Sequence, residues 1–274
     1  MKHRITRRRS QRTHSGPVKP TVAPENFRAT FFPQITDSEW NDWCWQKSNC
    51  LKNLKDLEKV LHLTEDERRA LSSKTGRLPL SITPYYAGLL DTRDALQPLR
   101  RTVIPVMAER KRAPGEQNDP LSEKCCSPVP GIVHRYPDRV LFLVTDYCAV
   151  YCRYCTRSRR VGRRHSGEST LQQRWKKGIS YIAETPAIRE VLISGGDPLM
   201  LDDEHLQELL DRISKITHVE IIRLGTKAPL VLPQRITPSL VHILRDYQPL
   251  WVSLHCTHPD ELTWYVRKGL EMLA

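Results

Sequence analysis

From Val140 to the end of the 274-residue chain, short apolar runs alternate with longer amphipathic stretches, and this rhythm constrains the fold more than any other feature. Val140-Leu141-Phe142-Leu143-Val144 is a continuous apolar run of strand length, the pattern of a strand buried on both faces. Strands are predicted at 140–145, 190–194, 219–224 and 250–255, and helices at 170–184, 203–215, 237–247 and 259–272. Strand–helix alternation with short links implies a parallel sheet with right-handed crossovers. The expected fold class is α/β: a partial, incomplete TIM-like barrel of parallel βα units, preceded by a helical N-terminal region. So few βα units fall short of a closed barrel, and the chain reads as cut off at its C-terminal end.

Ahead of the barrel region, residues 1–35 read as a basic disordered tail, 36–104 as a helical region and 105–139 as an extended, Pro- and Gly-bearing connector. Asp37 or Ser38 is expected to cap a helix running through Trp40, Trp43 and Trp45, which serve packing. Leu51, Leu54, Leu57, Val60 and Leu61 mark a second apolar stripe. The net charge of +12 owes much to MKHRITRRRSQRTHSGPVKP, which has no aromatic side chain for base stacking. A solvated tail is the plainer reading, with a transit peptide as the minor alternative, and no nucleic-acid partner is expected. No run of eighteen apolar residues and no apolar signal segment is present, so a cytoplasmic protein without a membrane partner is expected.

Three of the eight cysteines form C-x-x-x-C-x-x-C: Cys148, Cys152 and Cys155, directly after the first predicted strand. Three thiolates at this spacing can hold three irons of a 4Fe-4S cluster and leave the fourth iron open, where an electron-transfer cluster would be closed by four cysteines. A structural zinc loop is the alternative, and it lacks a fourth ligand nearby. Cys44, Cys50, Cys125, Cys126 and Cys256 match no ligand pattern and read as ordinary thiols.

Ser194-Gly195-Gly196-Asp197 ends the second strand. A glycine pair admits close backbone approach and Asp197 can accept from an ammonium group, although a capped strand-to-helix turn has the same sequence. Arg135, Tyr136 and Arg139, before the first strand, can clamp a phosphate or carboxylate, or form surface ion pairs. Arg157 is expected near the cysteine pocket, and His255 ends the fourth strand as a core or pocket histidine.

Cys148, Cys152 and Cys155, with Tyr154 before the last, resemble the radical S-adenosylmethionine signature. WNDWCWQ at 40–46, SITPYYAGLLD at 81–91, DPLSEKCCSPVPGIVHRYPDRV at 119–140, SGGDPL at 194–199, LPQRIT at 232–237 and WVSLHCTHPDELT at 251–263 resemble the lysine 2,3-aminomutase family, from about residue 36 onward. The resemblance implies an incomplete α/β barrel with three cofactors: a 4Fe-4S cluster, S-adenosyl-L-methionine and pyridoxal 5′-phosphate. It places Ser194, Gly195, Gly196, Asp197 and His255 against S-adenosylmethionine, Arg135, Tyr136 and Arg139 beside pyridoxal phosphate, and Arg157 on the substrate carboxylate.

The implied reaction is radical 2,3-aminomutation. A 5′-deoxyadenosyl radical takes hydrogen from the β-carbon of an amino acid, and the α-amino group moves there. L-lysine is the default substrate, glutamate and arginine are alternatives, and a cluster-binding fragment without mutase activity is the competing reading. An electron donor such as flavodoxin or ferredoxin and a homo-oligomer of the full-length enzyme are also implied. The family's pyridoxal lysine stands in a glycine-rich segment that neither Lys227 nor Lys268 matches, so no catalytic lysine is assigned. The isolated chain is accordingly expected to bind cluster and S-adenosylmethionine without turnover.

Overall fold

The computed structural model describes residues 24–73, 78–111, 113–162 and 170–274; most of the basic tail lies outside them. Seven short helices come first: α1 Pro24–Phe31, α2 Asp37–Trp40, α3 Trp43–Ser48, α4 Leu54–Glu58, α5 Glu65–Ser72, α6 Pro84–Ala87 and α7 Pro98–Val103. The sheet region follows as β1 Ile132–Tyr136, β2 Arg139–Thr145, α8 Leu171–Ala183, β3 Glu190–Gly195, α9 Asp203–Ser214, β4 Ile221–Thr226, α10 Ala228–Val231, α11 Pro238–Arg245, β5 Leu250–Leu254 and α12 Trp264–Leu273.

The five strands lie side by side in chain order. β2 to β5 are parallel, but β1 runs antiparallel to β2, with Ile132 opposite Phe142 and Tyr136 opposite Arg139. This corrects two expectations. The connector contains a strand, and the sheet is mixed. Pro137-Asp138 is a turn signal, and here the turn folds a strand back onto its neighbour. β4 begins two residues later than expected, and α12 begins at Trp264, after a 3-10 turn at Pro259–Glu261.

Strand alternation sorts the side chains. Val140, Phe142, Val144, Val191, Ile193, Ile222 and Leu224 face the helices and form one core with Trp175 and Ile182 of α8, Leu206, Leu209, Leu210 and Ile213 of α9, and Leu240 of α11. Each such side chain contributes about 1.5–3 kcal/mol on burial. The intervening residues, among them Arg139, Leu141, Leu192, Ser194, Arg223 and Ser253, lie on the opposite, more open face. β5 is the last strand of the sheet, and its Trp251 is 58% exposed.

The leading helices are shorter than the sequence pattern suggests. Thr36, not Asp37 or Ser38, caps α2, in a reciprocal box with Glu39. Asp42 then caps a new helix, so Trp40 and Trp43 belong to separate elements. Part of the expected tail is also ordered: α1 buries Phe27. Phe27, Trp40, Leu57, Tyr85, Tyr86 and Leu99 join a second core that includes Ala149 and Val150 after β2 and Leu230–Leu232 after β4. The leading helices therefore pack on the loops at the C-terminal ends of the strands. No helix among the described residues is long and apolar enough to cross a membrane.

Candidate functional site

The chain after β2 makes a closed excursion from Asp146 to Gly162. Gly162 N–H donates to the Asp146 carbonyl at 2.7 Å, where its φ of +72° suits glycine. The leading region holds the loop from outside. Tyr151 N–H donates to the Ser81 carbonyl at 3.2 Å, the Ser81 hydroxyl to the Ala149 carbonyl at 2.8 Å, and Arg153 N–H to the Thr102 carbonyl at 2.7 Å. Arg153 also pairs with Glu109 at 2.5 Å, and Arg174 of α8 with Asp146 at 2.6 Å.

Cys148, Cys152 and Cys155 line one cavity of about 560 Å³ at the C-terminal ends of the strands. Ser194–Asp197, Gly225–Lys227, Ser253–Cys256 and Arg157 line it with them. Burial pushes all three thiols above their ordinary range, since an isolated thiolate is costly there. Among the described residues no three His, Cys, Asp or Glu side chains converge as the ligands of a single metal ion would. A larger hollow of about 850 Å³ opens beside the loop, lined by polar groups including Glu116, Asn118, Lys124 and Arg159, and it includes only Cys155 of the three.

The glycine pair closes the cavity against the root of the cysteine loop. Gly196 N–H donates to the Thr145 carbonyl at 2.6 Å, and Asp197 N–H to the Tyr147 carbonyl at 2.8 Å. A Cβ on Gly195 would come within 3.0 Å of the Thr145 carbonyl oxygen, and one on Gly196 within 3.0 Å of Tyr147 backbone atoms. Gly195 also has a φ of +121°. Asp197 is buried with both carboxylate oxygens engaged. One accepts from Leu199 N–H at 3.1 Å and Thr226 Oγ1 at 2.6 Å, the other from Lys227 N–H at 2.8 Å and Ala228 N–H at 2.9 Å. This carboxylate ties the end of β3 to the β4–α10 turn. The expected acceptor for a ligand ammonium is therefore already bonded within the protein.

His255 reaches the cavity, its ring stacked on Tyr154 at 5.6 Å between centroids. Burial first, then Lys227, lowers its pKa from the usual 6.5, favouring the neutral ring. Arg157 is also in the lining, held by Glu123 through Nε at 2.8 Å. Arg135, Tyr136 and Arg139 do not reach the cavity. They sit at the β1–β2 turn, the opposite end of β2 from the cysteines, with Tyr136 59% exposed. Arg139 bonds Asp138 at 3.0 Å and lies 3.7 Å from Glu190, and Arg135 donates to the Leu121 carbonyl. Arg139 does share the open sheet face with Leu143, four residues or about 13 Å along the strand.

Sequence reasoning missed the groups beneath the cavity. Lys227 Nζ donates to Glu261 at 2.5 Å, and the Tyr86 hydroxyl to the same carboxylate at 2.7 Å. Their signal was present in SITPYY and HPDE, segments whose polar side chains have to find partners once buried.

Residues 142–271 match the radical SAM superfamily model. The chain is 46% identical over 249 residues to the L-lysine 2,3-aminomutase of Fusobacterium nucleatum, covering 91% of this chain and 58% of that protein. It is 44% identical over 249 residues to the L-lysine 2,3-aminomutase of Clostridium subterminale, covering 91% and 59%. It is 36% identical over 241 residues to the glutamate 2,3-aminomutase of Clostridioides difficile, covering 87% and 56%. The chain thus spans less than two thirds of the length of these curated relatives.

Proposed function

The chain belongs to the lysine 2,3-aminomutase family of the radical SAM superfamily, and from that premise we propose that it serves a radical amino acid 2,3-aminomutase, an isomerase. Cys148, Cys152 and Cys155 hold a 4Fe-4S cluster, S-adenosyl-L-methionine binds beside it, and L-lysine is the substrate to test first, ahead of glutamate and arginine. One observation carries this reading: the three cysteines share a single cavity with the glycine-lined end of β3. When bound, the cluster and S-adenosylmethionine supply one-electron chemistry that generates a carbon radical.

The chain's own residues position and shield. Gly195 and Gly196 pack their bare backbone against Thr145–Tyr147 and so bring the end of β3 into the cavity lining beside the cysteine loop. Asp197 keeps that strand end in register with β4. The stacked Tyr154–His255 pair offers a flat aromatic side, and Arg157, anchored by Glu123, offers a guanidinium to a carboxylate. Pyridoxal 5′-phosphate would be held at the β1–β2 turn end of the sheet by Arg135, Tyr136 and Arg139, where the two exposed arginine guanidiniums suit a phosphate. When bound it supplies an electron-accepting ring conjugated to the substrate nitrogen.

Anaerobic reconstitution with iron and sulfide tests the cluster. Four irons per chain are expected, with loss of the iron in the triple Cys→Ala variant of 148, 152 and 155. Iron that persists in that variant, or one zinc and no iron, overturns the assignment. For the substrate, the reduced and loaded protein is offered β-deuterated lysine, glutamate and arginine in turn. Deuterium in 5′-deoxyadenosine from one of them names the substrate, and deuterium from none, with cluster and S-adenosyl-L-methionine bound, favours the cluster-binding fragment without mutase activity.

A further inference from the structure

Lys227 has no task in the chemistry above, yet it is placed with care. Its Nζ donates to Glu261 Oε1 at 2.5 Å, Thr257 Oγ1 at 3.1 Å and the His255 carbonyl at 3.2 Å. The Lys227 side chain is 10% exposed and that of Glu261 is 0% exposed. Glu261 is fixed in turn by the Tyr86 hydroxyl at 2.7 Å and Thr257 N–H at 2.7 Å, so the pair cannot drift. Lys227 and Cys152 line the same cavity. The His255 carbonyl that Lys227 Nζ bonds belongs to the residue whose ring stacks on Tyr154, between Cys152 and Cys155 in the chain, so the ammonium is anchored to the same corner of the cavity as these two cysteines.

A cation held near a cluster in a poorly solvated site favours the more negative redox state, because cluster potentials follow local charge, hydrogen bonding and solvent exposure. A comparable pair, Arg157 with Glu123, stands beside Cys155, but the Arg157 side chain is 21% exposed and better screened. We propose that Lys227 is a positioning residue that sets the reduction potential of the cluster held by the three cysteines, with Glu261 as the counter-charge that limits its effect. This rests on the reading that those cysteines bind a cluster.

The test uses the whole chain, reconstituted anaerobically, as wild type, K227M, K227R and E261Q. Iron is counted first, and the reduced cluster is then followed by electron paramagnetic resonance in a redox titration. At the potential where wild type is half reduced, K227M is expected to show a roughly ten-fold lower ratio of reduced to oxidised cluster, about 59 mV for one electron. K227R should restore the ratio, and E261Q should move it the opposite way. K227M with four irons and an unchanged ratio overturns the proposal, as does a shift of E261Q in the same direction as K227M. If K227M fails to hold iron, E261Q decides: an upward shift supports the proposal and no shift overturns it. Wild-type protein without iron overturns the cluster reading itself, a result distinct from an unchanged potential.

Discussion

An alanine at position 196 would place its Cβ against the backbone of Tyr147, one residue before Cys148. Backbone cannot rotate aside as a side chain can, so the root of the cysteine loop has to move. Gly196→Ala is expected to cost about 1–3 kcal/mol of stability and to lower iron per chain after reconstitution, checked by urea denaturation and iron counting. Full iron and unchanged stability would show that the loop root tolerates displacement. The sequence made the need for close approach legible in Gly195-Gly196, and only the fold shows that what approaches is the protein's own Thr145–Tyr147 segment. Asp197 repeats the lesson. Its acidity and place were readable, whereas its four donors come from residues up to 31 positions away.

The leading helices are joined by a buried ion pair. Arg100 of α7 meets Glu67 of α5 through two bonds, at 3.0 and 2.7 Å, and also donates to the Asp91 and His62 carbonyls. Removing one partner strands the other charge, so Glu67→Ala should cost about 3–5 kcal/mol, measured by the urea midpoint. The capping boxes at Thr36–Glu39 and Thr64–Glu67 follow the T-x-x-E pattern, although the expected first cap was Asp37 or Ser38. Which charges would meet across helices was not legible, because pairing depends on packing angles that periodicity leaves open.

At the link between β5 and α12, the Glu261 carboxyl is held below its ordinary 4.5. Burial alone would raise it, and the bond from Lys227 and those from Thr257 N–H and Tyr86 outweigh burial. A depressed carboxyl contributes stability that is complete above its unfolded value and lost as pH falls through the folded one. Wild type should therefore lose more stability than Glu261→Gln between about pH 6 and about pH 3, measured by denaturation at both. Equal losses would remove Glu261 from the acid response.

Across the whole molecule, the second core joins residues from Phe27 to Ile104 with Ala149, Val150, Met200, Leu230 and Val266. Leader and sheet should thus unfold together. Leu230→Ala is expected to cost about 2–5 kcal/mol and to shift equally the transitions reported by Trp43 and Trp45 fluorescence and by amide exchange in β3. Separate midpoints would show two independent units. The order of strands and helices after Val140 was legible because short apolar runs of strand length alternate there with longer amphipathic stretches. The strand β1 was not, since Ile132–Tyr136 alternates too briefly and carries His134 and Arg135. Nor was the wrapping of the leader around the loops, which rests on contacts between distant segments.

The Asp146–Gly162 excursion is shaped by bonds with Ser81, Thr102, Glu109, Glu123 and Arg174 and by bonds between the loop's own backbone groups. The ordering entropy of this loop is met by the polypeptide, in contrast to small zinc domains, where metal binding and folding are one event. Cofactor loading then resembles filling a socket, and its gain in apparent stability follows simple mass action. The cluster proposed on Cys148, Cys152 and Cys155 would then be removed and refitted without the chain passing through its unfolded state.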